Sequence, residues 1–175
     1  MLTPFFKIGE VLRPQGVHGE AKVAAWAMNP EDFRRWTTLY LRRGDGYEPL
    51  EARCSRVHDG FAYVTLGTCS SPEDVEKLRG EALYIDRAHT GVLPEGMYYI
   101  ADLIGCVAVD EEGQELGTLR EVLQHGPTDV YVFGTADRRT WMAPALPDAF
   151  PVRDVEHNVI RVNSARLKEV AVYAD

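Results

Sequence analysis

The feature that most restricts the fold is the length of the apolar runs. They are short, rich in β-branched and aromatic residues, and cut by glycine-containing turns. Phe6–Leu12, Ala21–Ala27, Thr38–Arg42, Pro49–Val57 and Phe61–Leu66 read as strands. Gly44-Asp45-Gly46 and Asp59-Gly60 fall between them and read as hairpin turns, because both supply positive φ at little cost. So many short strands in fewer than 100 residues point to a small closed barrel, in which closure removes exposed strand edges.

Two helical insertions interrupt this pattern with the same chemistry. Asn29-Pro30-Glu31-Asp32 and Ser71-Pro72-Glu73-Asp74 each place a capping side chain, then proline, then carboxylates at the positive end of the helix dipole. Phe33 with Trp36, and Val75 with Leu78, give each short helix one apolar face, and Gly80 suits a left-handed stop. Both are expected to act as lids or plugs of the barrel.

After a closing strand at Ala82–Ile85, residues 87–96 are rich in turn formers and read as a linker. The expected division is a first domain over residues 1–88, a linker over 89–96 and a second domain with a tail over 97–175. A second strand set follows at Cys106–Val109, Thr118–Leu123, Val130–Phe133, Thr140–Ala143 and Val159–Val162, and is expected to form another small barrel. Pro144 to Pro151 can hold at most a short helix. Beyond Ser164 only Leu167 and Val170 suggest docking on a sheet.

Charge divides the chain further. Residues 1–93 carry 12 basic and 13 acidic side chains, whereas residues 94–175 carry 7 and 14, so most of the formal charge of −8 lies in the second half. An acidic surface repels phosphate and favours cationic partners, which makes the second half a poor grip for bare nucleic acid and a reasonable dock for a basic protein. No window approaches the roughly 18 apolar residues of a membrane span, and the start lacks a signal-peptide pattern, so a cytoplasmic protein is expected.

Evidence for bond chemistry is thin. The five histidines show no metal-ligand spacing, Cys54, Cys69 and Cys106 are scattered, and there is no phosphate loop, dinucleotide fingerprint or nucleophile elbow. A non-enzymatic binding protein without metal or cofactor is expected. Two segments exceed structural need. In Gly9 to Val23, Gly16 and Gly19 of the loop Gln15-Gly16-Val17-His18-Gly19 let the backbone turn sharply between two strand-like runs and approach another surface, although a plain hairpin loop needs the same residues. In Met97-Tyr98-Tyr99-Ile100-Ala101-Asp102-Leu103-Ile104-Gly105, the two tyrosines of an extended segment would face opposite sides, leaving one for an interface or for a domain junction. A third, Glu115 to Leu123 followed by Asp129-Val130, reads as structural.

These segments, in this order, resemble the RimM family over nearly the whole chain. Gly9, Val11, Gly16, Gly19, Glu20 and Val23 match the motif that opens the family's first barrel, with Gln15 where histidine is usual. Leu78-Arg79-Gly80 before a strand, Tyr98-Tyr99-x-x-Asp102-Leu103-Ile104-Gly105, and Asp129-Val130 are similar to later family motifs. The resemblance implies a mainly β chain: a translation-factor-like N-terminal barrel, then a PRC-barrel. It implies a monomeric ribosome maturation factor that acts as an assembly chaperone. Its partners would be the immature 30S subunit with 16S rRNA and the head-region ribosomal protein S-nineteen. Tyr98, Tyr99, Asp102, Leu103, Ile104 and Gly105 would contribute to binding, as would the loop of Gln15, Gly16, His18 and Gly19. Two other readings remain: an RNA-binding barrel using Arg34, Arg35, Arg42 and Arg43, and a split-barrel flavin enzyme.

Overall fold

The computed structural model describes residues 2–27 and 29–174. They form two compact units, one spanning Pro4–Val92 and one built from Leu93 onward together with Thr3. No helix among the described residues is long and apolar enough to cross a membrane.

The first unit holds six strands: β1 (Phe5–Gln15), β2 (Glu20–Ala25), β3 (Thr38–Arg43), β4 (Gly46–His58), β5 (Phe61–Leu66) and β6 (Ala82–Asp86). Their order is β1-β2-β5-β4-β3-β6, and β6 pairs back to β1, so the sheet closes. Every pairing is antiparallel. The hairpins turn where the sequence suggests: His58 pairs with Phe61 across Asp59 and Gly60, both at positive φ, the twist-matched turn of a two-residue hairpin.

Strand β1 is bonded on both edges and its register shifts twice, between Lys7 and Gly9 against β6 and between Val11 and Arg13 against β2. Such irregularities bend a strand and raise its twist, which a small closed ring requires. Gly9 sits at this bend. A Cβ there would lie 2.4 Å from the Ala24 carbonyl oxygen and 3.4 Å from the Phe33 ring, so no side chain fits.

Inward side chains alternate along the strands, as in β2 with Ala21 and Val23 and β6 with Leu83 and Ile85. Phe33 and Val75, from the two short insertions, join the same core. The first insertion is a 3-10 turn, Pro30–Arg34, capped by the Asn29 side chain accepting from the Glu31 N–H. The second is α1 (Pro72–Glu76), with a reciprocal cap in which Ser71 Oγ accepts from the Asp74 N–H while Asp74 Oδ2 accepts from the N–H of Ser71 and of Ser70. Those donors, led by the Ser70 N–H, hold the Asp74 carboxyl below the usual aspartate range.

The second unit contains α2 (Ile100–Leu103), β7 (Val107–Val109), β8 (Glu115–Leu123), β9 (Val130–Gly134), β10 (Thr140–Pro144), β11 (Val152–Asp154), β12 (Val159–Arg161), α3 (Ser164–Val170) and β13 (Val172–Ala174). Its sheet runs β11-β12-β7-β8-β9-β10-β13, with β12 parallel to β7.

This overturns the expected fold of two small β-barrels. The second sheet is open, ending in the three-residue strands β11 and β13, which do not meet. Its apolar residues are covered instead by a helix and a turn. Leu167 of α3 and the Pro-rich segment's Ala149 and Phe150 enter the core with Phe133, Trp141, Leu119 and Ile160. Strands β11 and β13 fall outside the segments that read as strands, and helix α3 was marked in the sequence only by Leu167 and Val170 as docking positions.

Gly9→Ala should lower stability by about 1–3 kcal/mol in denaturant unfolding, since a backbone oxygen must move. Gly46→Ala, where the nearest atom to a new Cβ is 3.7 Å away and φ is ordinary, should stay within about 0.5 kcal/mol. A second expectation concerns pH. Because the folded-state acidity of Asp74 is strengthened, its contribution is complete above the unfolded aspartate range and is lost as pH falls through the lowered folded value. Asp74→Asn should flatten that acid limb of a stability-versus-pH curve.

Candidate functional site

The Tyr98–Gly105 segment is extended only as far as Tyr99, where α2 begins. The Tyr99 carbonyl accepts from the Asp102 and Leu103 N–H groups, 3.0 and 3.2 Å away. One helical turn changes which side chains point inward. Asp102 and Leu103 are buried, at 3% exposure each, whereas Ile104 is 41% and Met97 48% exposed. Tyr98 and Tyr99 are both half-buried, and Gly105 is exposed with its N–H bonded to the Leu119 carbonyl at 2.9 Å.

Asp102 is the one buried charged residue among those described, and Oδ1 accepts from the Thr3 N–H at 2.8 Å. Thr3 Oγ1 also donates to the Ala101 carbonyl at 3.2 Å. A buried carboxylate is tolerable only when bonded this way. The aspartate therefore ties Thr3 to α2, and its side chain is buried.

Tyr98 packs against the second core, with the Arg153 guanidinium 5.7 Å from its ring centre. Arg153 also lies 5.6 Å from the Tyr131 ring and 6.0 Å from Phe150. Its Nε donates to the Tyr131 hydroxyl at 3.0 Å and a terminal nitrogen to the Ala145 carbonyl at 3.1 Å. Burial pushes the Tyr131 hydroxyl's pKa up, and Arg153 opposes that shift. The arginine thus holds a rigid aromatic wall behind Tyr98. Arg153, Tyr131 and Phe150 escaped the sequence reading; a solitary arginine after a proline-rich stretch was their only signal.

The other expected site lies in the first unit. Gln15 ends β1 and pairs with Glu20, so Gly16 to Gly19 form the hairpin connection of β1 and β2. Val17 and His18 are exposed at its tip. Gly19 has φ +84°, and a Cβ there would lie 2.5 Å from the Cys69 carbonyl oxygen, so the base of the loop is pressed against the chain before α1. The four residues are one tight loop, and they belong to the first compact unit, whereas the tyrosine segment belongs to the second.

Among the described residues no group of three or more His, Cys, Asp or Glu side chains could hold a metal ion. Burial raises the pKa of all three thiols, which leaves Cys54, Cys69 and Cys106 less nucleophilic. The arginines suggested for RNA are mostly engaged: Arg34 with Glu31, Arg35 with Asp32, and Arg43 with Glu48 and Glu81, while Arg42 donates to the Gly44 carbonyl.

Comparison with known proteins adds an independent line. Residues 6–90 match the family model described as RimM N-terminal domain, and residues 100–166 the one described as RimM PRC barrel domain. A ribosome maturation factor RimM of Bacillus cereus is 30% identical over 165 residues, covering 93% of this chain and 96% of its own. The protein of the same name from Bacillus cytotoxicus is 32% identical over the same span. A crystal structure described as a 16S ribosomal RNA processing protein RimM of Pseudomonas aeruginosa is 25% identical and covers 91% of this chain and 96% of its own, with a TM-score of 0.45.

Asp102→Ala should cost about 1.5–3 kcal/mol in denaturant unfolding, because the Thr3 N–H loses a charged acceptor. Asp102→Asn keeps an acceptor oxygen and should cost clearly less. Equal losses would mean that the carboxylate charge, and not the hydrogen bond, sets the stability.

Proposed function

The chain belongs to the RimM family, and we propose accordingly that it is a ribosome maturation factor. It binds the assembling 30S subunit through a basic head-region ribosomal protein, S-nineteen, and assists 16S rRNA processing and head assembly. Its contribution is binding energy alone: the factor favours a foldable arrangement of the head and is released from the mature particle.

The observation that carries this reading is the pairing of exposed apolar side chains with half-buried tyrosines in the acidic unit. Met97 and Ile104 flank Tyr98 and Tyr99 and are 48% and 41% exposed. Tyrosine anchors backed by rigid neighbours lose little entropy on binding, and such positions dominate interface energetics. Arg153 and Tyr131 supply that backing for Tyr98. The excess of acid over base in residues 94–175 suits a cationic client, speeding encounter more than it deepens affinity. Asp102 and Leu103 serve by shaping the turn; Tyr99, Ile104 and Met97 are the groups that would touch the partner.

The test is co-sedimentation with immature small subunits. Tyr99→Ala combined with Ile104→Asp should weaken binding by about 30-fold or more, the equivalent of roughly 2 kcal/mol, while the melting curve stays cooperative. Wild-type binding by this folded variant would overturn the assignment of the tyrosine segment.

A further inference from the structure

The outer face of the first unit carries a basic and aromatic stripe that has no part in docking through the tyrosine segment. In the ladder, Arg13 of β1 pairs with Lys22 of β2, Lys22 with Tyr63 of β5, and Tyr63 with Arg56 of β4. Directly paired residues of antiparallel strands share a face. That face is the outer one, since Ala21, Val23, Ala62 and Val64 on either side point into the core. At about 4.8 Å between strands, the row crosses roughly 14 Å.

Cations on this face sit on rings. Arg56 lies 4.0 Å from the Tyr63 ring centre, Lys22 4.0 Å from Phe61, and Lys7 4.7 Å from Trp26. Tyr63 is only 8% exposed although it is not part of the interior cluster, and the Arg56 guanidinium lies over its ring. Trp26 is 50% exposed, an unusual state for that residue.

Two features separate this stripe from an ordinary solvated surface. Like charges placed directly opposite across strands destabilise a sheet, yet Arg13 faces Lys22. Five other arginines of the unit are matched by carboxylates: Arg34 by Glu31, Arg35 by Asp32, Arg43 by Glu48 and Glu81, Arg53 by Glu51 and Arg79 by Glu76. Among the described residues no such ion pair involves Lys7, Arg13, Lys22 or Arg56. Carboxylates do stand on the same face at Glu10 and Glu20. Glu20 Oε2 is taken by the Ser55 hydroxyl at 2.5 Å.

We propose that this face binds single-stranded RNA. Phosphates would follow the Arg13–Lys22–Arg56 row, and bases would stack on the exposed Trp26 ring and on the outer plane of the Arg56 guanidinium. Single-strand binders combine these two elements, a cationic track and planar platforms, and read backbone and stacking in preference to sequence. The proposal deepens the subunit-binding reading by assigning an RNA contact to the first unit, and it stands on residues remote in sequence from the tyrosine segment.

The experiment is fluorescence anisotropy of the full chain with a fluorescein-labelled, unstructured oligoribonucleotide over a range of salt concentrations. Lys22→Gln with Arg56→Gln should lower affinity about tenfold or more at low salt. It should also reduce the slope of log K against log salt by about 1.4, or 0.7 for each phosphate that is no longer neutralised. Trp26→Ala should lower affinity with the slope unchanged, and Arg56→Lys should keep the slope while weakening the stacking contribution. The control pair Arg34→Gln with Arg35→Gln, whose charges are already matched, should stay within about twofold.

Absent binding by the wild type, or equal losses in both double variants, would overturn the proposal. Loss of subunit co-sedimentation in Lys22→Gln/Arg56→Gln with RNA affinity unchanged would also overturn it, by making the face a protein dock. Because Tyr99→Ala/Ile104→Asp leaves the stripe intact, its RNA affinity should equal the wild type. Failure of the RNA assay beside intact subunit binding would sink this proposal and leave the tyrosine assignment standing.

Discussion

Strand β1 is hydrogen-bonded along both edges, to β2 and to β6, and the first unit exists as a closed ring only because one strand serves both neighbours. Bonding on two sides while turning through a small radius demands bends, and the two register shifts supply them. Gly9 follows from the same constraint, since the Ala24 carbonyl oxygen fills the place of a side chain. Everything else in the unit is arranged around that closure: alternating residues fill the interior, Phe33 and Val75 come in from the insertions, and the outward set is left free to carry charge and rings.

The second unit solves the same burial problem without closing. Its edge strands β11 and β13 do not pair with each other, and a helix and a proline-rich turn cover the apolar face. Three aromatic rings, Phe133, Trp141 and Phe150, stack within this core, with Phe133 and Trp141 only 4.1 Å apart between centres. That rigid interior matters for the surface above it. Arg153 transmits the rigidity outward, tying Tyr131 to the half-buried Tyr98, and Asp102 fixes α2 from the other side through Thr3. A surface segment held by two part-buried polar contacts has less freedom to lose, which reduces the ordering cost of docking.

The two units also manage charge differently. The first is nearly neutral in sum, but its ion pairs are concentrated on the insertions and the β3–β4 side, while Lys7, Lys22 and Arg56 lie over rings instead. The second carries most of the net negative charge. Net charge per half therefore describes the second unit well and conceals the distribution on the first, because a ladder register decides which charges become neighbours.

Much of the architecture was legible in the residues themselves. Alternation and paired turn residues mark the six strands of the first unit, and Asn29-Pro30 and Ser71-Pro72 announce their helical starts through local capping chemistry. Such features depend on neighbours within a few positions, so the order of residues was enough to specify them, along with the acidic second half and the match to a family's ordered motifs. Three-dimensional packing was needed to establish that the second sheet stays open, that Asp102 faces inward, that Arg153 stands behind Tyr98, and that Arg13, Lys22, Tyr63 and Arg56 share a row. Each of these is a meeting of residues far apart along the chain. Which of them meet is set by strand register and by the burial of whole faces, and neither quantity is written in any local stretch of residues.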